Sequence, residues 1–154
     1  RSTLFPYTTL FRSTLAGGKA EGVLGGGNLS VLTCTLGTPY EARSRDCILF
    51  LEDVRETPFR IDRMLNQLRL SGMLGRYRGV ILGSFTGCLP LRGSGIGLLD
   101  VFDHYFEKLG VPVLSGYAAG HQPDQATLPI GARVRLDATA KKVSLIETPV
   151  AAAP

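Results

Sequence analysis

The chain has 154 residues, of which 44% are hydrophobic and 19% are charged; this is typical of one globular domain and excludes a disordered chain. The 17 basic and 13 acidic residues give a net charge of +4, but the basic residues are scattered among acids, so nucleic-acid binding is not indicated. No apolar stretch is long enough to cross a membrane, and the first residues lack the order of a secretion signal.

Residues 3–13 (TLFPYTTLFRS) resemble the translation of a sequencing-adapter oligonucleotide. We therefore interpret residues 1–13 as an artefactual leader outside the fold, the alternative being a native amphipathic strand. Without Arg1 and Arg12 the chain has 15 basic and 13 acidic residues, so its basicity says little about partners. On this interpretation the natural N-terminus is missing, and the chain is the tail of a longer protein.

A glycine-rich segment at residues 16–27 contains the first predicted strand and precedes the first predicted helix. We expect a short strand near residues 21–24 and a helix that starts around Asn28, whose side chain can cap it. The glycines at 25–27 match neither the dinucleotide-binding pattern nor the Walker pattern, so a turn or packing role is favoured over phosphate binding.

The most informative stretch is the apolar run 48–51 (ILFL), which ends abruptly in Glu52 and Asp53. A short, continuous apolar run predicts a strand buried on both faces. A Thr-Pro helix-start signal then predicts a helix over residues 57–71. Apolar residues at helical spacing should form its buried face: Ile61, Met64, Leu65 and Leu68.

The second half of the chain repeats the alternation of strand and helix. A strand at 79–83 precedes a glycine-rich loop and a helix at 98–109, whose predicted buried face consists of Leu99, Phe102, Phe106 and Leu109. A third strand at 111–114 follows, then an antiparallel hairpin of residues 132–136 and 142–146, and a frayed tail at 149–154. This order predicts an α/β fold with a parallel central sheet plus an antiparallel hairpin.

Two residues are candidates for chemistry because each follows a predicted strand. Glu52 ends one strand and His121 follows another by a short loop, so both should lie at the same edge of a parallel sheet. A histidine oriented by a carboxylate forms two thirds of a nucleophilic triad. The alternatives are a loop histidine without a task and an acid at a helix terminus; for His104, inside the second helix, a solvated histidine is the better interpretation.

The cysteines Cys34, Cys47 and Cys88 are widely spaced and include no CxxC pair. This spacing does not indicate zinc. We expect three buried, reduced thiols in a cytosolic protein.

Several segments together resemble one family. They read GVLGGGNLS at 22–30, LGTP at 36–39, ILFLEDVRETPFRIDRML at 48–65, GVILG at 79–83 and GYAAGH at 116–121. Over residues 14–148 the chain resembles the C-terminal domain of the LD-carboxypeptidases, or muramoyltetrapeptide carboxypeptidases, a serine peptidase family that includes the microcin-immunity peptidases.

The resemblance implies a small swivelling β/β/α domain and a Ser-Glu-His triad, with Glu52 and His121 as its catalytic Glu and His. If the strand ended one residue later, the two carboxylates would exchange directions, and Asp53 instead of Glu52 would face the histidine. The nucleophilic Ser would belong to an N-terminal domain that is missing here, so this fragment alone should be inactive. None of five serines lies in a segment that matches the family's nucleophile segment: Ser30, Ser71, Ser84, Ser94 and Ser115.

By resemblance, the intact enzyme is cytoplasmic and releases terminal D-alanine from murein tetrapeptides during cell-wall recycling. It needs no cofactor or metal, its partners are the murein peptide and the missing domain, and family members are often homodimers. One alternative is a microcin-immunity peptidase that cleaves a peptidyl or acyl sulfamoyl-adenylate, although the chain has no Trp to stack on a nucleotide. The other alternative is a non-catalytic ligand-binding module.

Overall fold

The computed structural model describes residues 12–43, 45–93 and 95–147. The predicted leader and the predicted tail therefore lie almost wholly outside the described residues. The strands are β1 (Ser13–Ala16), β2 (Lys19–Asn28), β3 (Cys47–Val54), β4 (Tyr77–Thr86), β5 (Val113–Ser115), β6 (Arg133–Asp137) and β7 (Lys142–Leu145). The helices are α1 (Leu29–Cys34), α2 (Pro58–Leu70) and α3 (Leu98–Phe106), with a single 3₁₀ turn at Leu74–Arg76.

The strands form one sheet in the order β1-β5-β4-β3-β2-β6-β7. Its four central strands, β2 to β5, run parallel and are consecutive in the chain. β1 pairs antiparallel with β5, and the β6–β7 hairpin pairs antiparallel with β2. The predicted α/β class, with a parallel centre and an antiparallel hairpin, is confirmed.

Each parallel crossover contains one helix, and the three helices cover the same face of the sheet, as crossovers of one hand require. Leu49 and Leu51 of β3 share a buried cluster with apolar residues of all three helices. The opposite face of β3 packs against the hairpin because the sheet curls. Leu136 of β6 lies 3.0 Å from the place where a Cβ on Gly79 would lie.

The helix signals in the sequence correspond to observed caps. Asn28 caps α1 by accepting a hydrogen bond from the backbone N–H of Val31. Thr57 occupies the N-cap position before Pro58 of α2, but its side chain makes no capping hydrogen bond. The predicted buried face of α3 is wrong at Leu99, which is 63% exposed. Tyr105 takes its place in the core and donates a hydrogen bond to Asp62 on α2.

The glycines at 25–27 belong to β2, and Gly26 has a packing role. Gly26 has φ +110, and a Cβ there would overlap the backbone carbonyl oxygen of Phe50 on β3. Only glycine allows β2 to approach β3 this closely in that conformation. The packing role that the sequence favoured for this segment is thus confirmed at Gly26.

Two residues assigned to the leader contact the domain. Ser13 begins β1, and the guanidinium of Arg12 lies over the ring of Tyr117 at 4.9 Å and donates to the carbonyl of Lys141. The adapter interpretation of residues 1–13 stays a prediction. No helix in residues 12–43, 45–93 or 95–147 is long and apolar enough to span a membrane.

The expectation of three buried thiols is wrong for Cys34, which is exposed near the end of α1. Cys47 and Cys88 are buried. Burial raises the pKa of the Cys88 thiol to about 11, so this thiol stays protonated and unreactive at neutral pH.

Candidate active site

The carboxyl ends of the parallel strands bring the predicted residues to one edge of the sheet. Glu52 lies near the end of β3, level with Asn28 on β2. His121 lies in the loop that follows β5. Since β3 and β5 run in the same direction, both residues lie at the same edge, although 69 positions separate them in the chain.

Glu52 and His121 contact each other directly. Glu52 Oε2 lies 2.6 Å from His121 Nδ1. The carboxylate side chain is 7% exposed, whereas the imidazole is 54% exposed. A buried carboxylate needs a hydrogen-bond donor, and with the proton on Nδ1 the imidazole supplies one. Nε2 is then the nitrogen that can accept a proton from another group.

The loop that carries His121 is fastened to β4 by backbone hydrogen bonds. The N–H of Tyr117 donates to the carbonyl of Leu82, and the N–H of Ser84 donates to the carbonyl of Ala119, at 3.0 and 2.8 Å. The loop therefore continues the parallel alignment of β5 beyond its last residue. These bonds hold Ala119 against β4 and so fix the backbone position from which the His121 side chain extends.

Gly120 allows the loop to pass over the carboxylate. Its φ is +125, and a Cβ there would lie 2.8 Å from Glu52 Oε2 and closer still to Ser84 Oγ. A side chain would be strained by this backbone conformation and would also displace the carboxylate that holds His121.

We expect Gly120→Ala to lower the free energy of unfolding by about 2–4 kcal/mol, because backbone strain and overpacking act together. Gly131→Ala is a matched control, since Gly131 also has a positive φ, +94, but no atom within 4 Å of the corresponding Cβ. It should cost about 1–2 kcal/mol, from strain alone. Chemical denaturation measures both, and equal losses would show that the contact with Glu52 and Ser84 has no weight.

The side chain of Asp53 points away from that of Glu52, and its role is structural. Its carboxylate accepts from the Asn28 side chain and from the N–H and the hydroxyl of Ser30, at 2.8 to 3.1 Å. These contacts tie the end of β3 to the first turn of α1. The neighbouring carboxylates therefore lie on opposite faces of the sheet, and only Glu52 reaches His121.

Other polar residues of the matched segment lie elsewhere. Glu56 forms an ion pair with Arg60 at 3.3 Å and lines a depression along α2 together with Arg63, Met64 and Gln67. This depression does not include Glu52 or His121. Asp62 accepts a hydrogen bond from the hydroxyl of Tyr105. Burial and this carboxylate raise the pKa of Tyr105 to about 12.

Two further residues contribute to this edge and were not predicted from the sequence. Gln125 accepts a hydrogen bond from the N–H of Gly120 at 3.2 Å, and Ser84 lies beside Glu52. Neither residue has a local signal, because each acts across a loop or a strand pair. Within the part of the chain that the structure describes, no three His, Cys, Asp or Glu side chains gather closely enough to hold a metal ion.

Comparison with known proteins relates the sequence and the fold of this chain to a family. The sequence model of the LD-carboxypeptidase C-terminal domain matches residues 21–136. The chain is 42% identical over 153 residues to a Bacillus subtilis protein named "Probable murein peptide carboxypeptidase". That match covers 97% of this chain and 48% of the relative. The chain thus spans about half the length of the curated relatives it matches.

Two solved structures share the fold. The muramoyltetrapeptide carboxypeptidase from Oxalobacter formigenes is 31% identical with a TM-score of 0.76, over 93% of this chain and 55% of that one. The microcin C7 self-immunity protein MccF, in complex with aspartyl sulfamoyl adenosine, is 28% identical with a TM-score of 0.81. That match covers 98% of this chain and 46% of the other.

Proposed function

The chain belongs to the LD-carboxypeptidase C-terminal domain family, and from this premise we propose that it supplies the Glu and the His of a Ser-Glu-His triad. The intact enzyme would release the terminal D-alanine from murein tetrapeptides during cell-wall recycling. One observation carries the proposal: a buried carboxylate, Glu52, lies 2.6 Å from Nδ1 of an exposed imidazole, His121.

The proposed mechanism assigns each group a proton or a charge. His121 Nε2 accepts the proton of a Ser hydroxyl while the Ser oxygen bonds to the carbonyl carbon of the scissile amide. The imidazolium then gives this proton to the leaving nitrogen, the C–N bond breaks, and D-alanine departs. A water molecule cleaves the acyl-enzyme by the same route. Glu52 stays ionised, keeps the neutral ring protonated at Nδ1 and stabilises the imidazolium.

The nucleophile would come from a part of the enzyme outside this chain. The curated relatives are about twice as long as the matched chain. Among the serines of the chain, Ser30 is bonded to Asp53 on the opposite face and Ser84 is completely buried; Ser94 lies outside the described residues. We therefore expect this chain alone to be inactive. From the family resemblance alone, we also propose that the intact enzyme is cytoplasmic and forms a homodimer.

The microcin-immunity activity is the second candidate. The similarity to MccF solved in complex with aspartyl sulfamoyl adenosine favours it, because a protein that contains this domain fold binds that ligand. The absence of Trp from the chain argues against a nucleotide stacked on an indole ring in this half. The murein peptide names among the relatives favour the first candidate.

The full-length protein encoded by the gene tests the proposal. It should release D-alanine from a murein tetrapeptide, measured by amino-acid analysis, with a kcat/KM far above that for aspartyl sulfamoyl adenosine. The opposite ranking would support the second candidate. A gene that encodes no Ser-bearing domain beside this one would support a non-catalytic binding module and contradict the peptidase.

A further inference from the structure

Ser84, near the end of β4, has a buried hydroxyl that the proposed mechanism does not use. The residue has 0% exposure, and its Oγ has no hydrogen-bond partner among the described residues. A hydroxyl in the interior normally forms a hydrogen bond, because losing its water without one is unfavourable. A buried hydroxyl without a partner at this position therefore indicates a hydrogen bond that the described contacts do not include.

A β-bulge places Ser84 opposite Glu52. Leu51 of β3 pairs with Leu82 of β4, but Asp53 pairs with Phe85, so β4 has one extra residue at this point. In a regular pleat Ser84 would point to the same face as Leu82, toward the helices. The bulge turns it to the opposite face, which is the usual way in which bulges redirect a side chain beside a functional site.

Ser84 Oγ and Glu52 Oε2 both lie next to Gly120, beside the position that a Cβ on this residue would occupy. A Cβ on Gly120 would lie 2.8 Å from Glu52 Oε2 and closer still to Ser84 Oγ. Glu52 Oε2 is the oxygen that contacts His121. An ionised carboxylate only accepts hydrogen bonds, so a hydroxyl beside it acts as the donor.

We propose that Ser84 is a positioning residue whose hydroxyl donates a hydrogen bond to the carboxylate of Glu52 through one water molecule. This bond holds Glu52 in the orientation that keeps the proton of His121 on Nδ1. The inference rests on the proposed role of the Glu52–His121 pair. It differs from a packing role, in which Ser84 fills space and the hydroxyl is incidental.

The tautomer of His121 provides the test. The two ring ¹⁵N shifts, recorded on this chain at a pH where the ring is neutral, report the fraction that carries its proton on Nδ1. Wild type should show mainly the Nδ1–H form, and Ser84→Ala should shift His121 toward the tautomer ratio of His104. His104 is exposed on α3 and serves as the internal reference.

Thr57→Val is the matched control, because Thr57 Oγ1 is also buried and also lacks a partner among the described residues. It should leave the His121 tautomer unchanged. Ser84→Cys keeps a weaker donor and should give an intermediate ratio, which also serves if Ser84→Ala does not fold. A wild-type ratio in Ser84→Ala, or an equal change in Thr57→Val, would overturn the assignment.

Kinetics of the full-length enzyme separate this inference from the proposed function. Ser84→Ala should lower kcat about tenfold or more with little change in KM, because Ser84 acts on the triad and not on substrate binding. Normal turnover in Ser84→Ala together with an inactive His121→Ala would contradict only the role of Ser84. Normal turnover in His121→Ala would contradict the triad itself, whatever the tautomer ratio.

Discussion

Replacing His121 with Ala in the full-length enzyme should lower kcat by about 10⁴-fold or more, the loss seen when a triad base is removed. The reason is that, among the described residues at this edge, His121 is the exposed imidazole whose Nε2 can accept the Ser proton and return it to the leaving nitrogen. KM should change little, because the imidazole acts in the transition state. Steady-state release of D-alanine from a murein tetrapeptide measures both parameters.

His104→Ala is the control for this experiment. His104 is the other histidine of the chain, it is exposed on α3, and its ring contacts Tyr105. Its replacement should leave turnover within about twofold of wild type, as expected of a surface substitution. Near-normal turnover in His121→Ala would show that the assigned base is wrong, even if the protein is a carboxypeptidase.

Replacing Glu52 with Gln should lower kcat about 10⁴-fold while keeping the shape of the side chain. An amide in this position can donate a hydrogen bond to Nδ1, which favours the ring form protonated on Nε2 and removes the acceptor for the Ser proton. It also removes the negative charge that stabilises the imidazolium. Turnover of full-length Glu52→Gln, compared at equal folded concentration, measures the loss.

Asp53→Asn tests which of the two neighbouring carboxylates has the catalytic role. Asp53 bonds to Asn28 and Ser30 on the helix side of the sheet, so its replacement should cost about 1–3 kcal/mol of stability. Turnover of the folded fraction should stay close to wild type. If Asp53→Asn lost turnover and Glu52→Gln did not, the carboxylate assignment would be reversed.

Much of the fold was predictable because its signals are local. A continuous apolar run is enough to indicate the buried strand β3, and a Thr-Pro pair is enough to indicate where α2 starts. The error at Leu99 also has a local cause. The buried face of α3 follows the spacing of Val101, Phe102, Tyr105 and Phe106, which leaves Leu99 exposed and places the Tyr105 hydroxyl where it donates to Asp62.

The candidate site was predictable only in part. Two acids after a buried strand and a histidine after another predict a shared edge, because parallel strands end together. The sequence could not show which acid meets the histidine, since a shift of one residue exchanges the faces. The structure assigns Glu52 to the His121 side and Asp53 to the α1 side.

Most of the elements and their order were predictable, because periodicity, caps and strand ends depend on neighbours in the chain. The short strand β1 was not predicted, and the catalytic roles proposed for Glu52 and His121 came from the family resemblance. The 2.6 Å contact between Glu52 and His121 and the place of Ser84 beside it arise from tertiary packing. Both depend on the register of β3 against β4, on one bulge, and on a glycine that lets a loop pass over a carboxylate. Such features arise between segments far apart in the chain, so no local pattern encodes them.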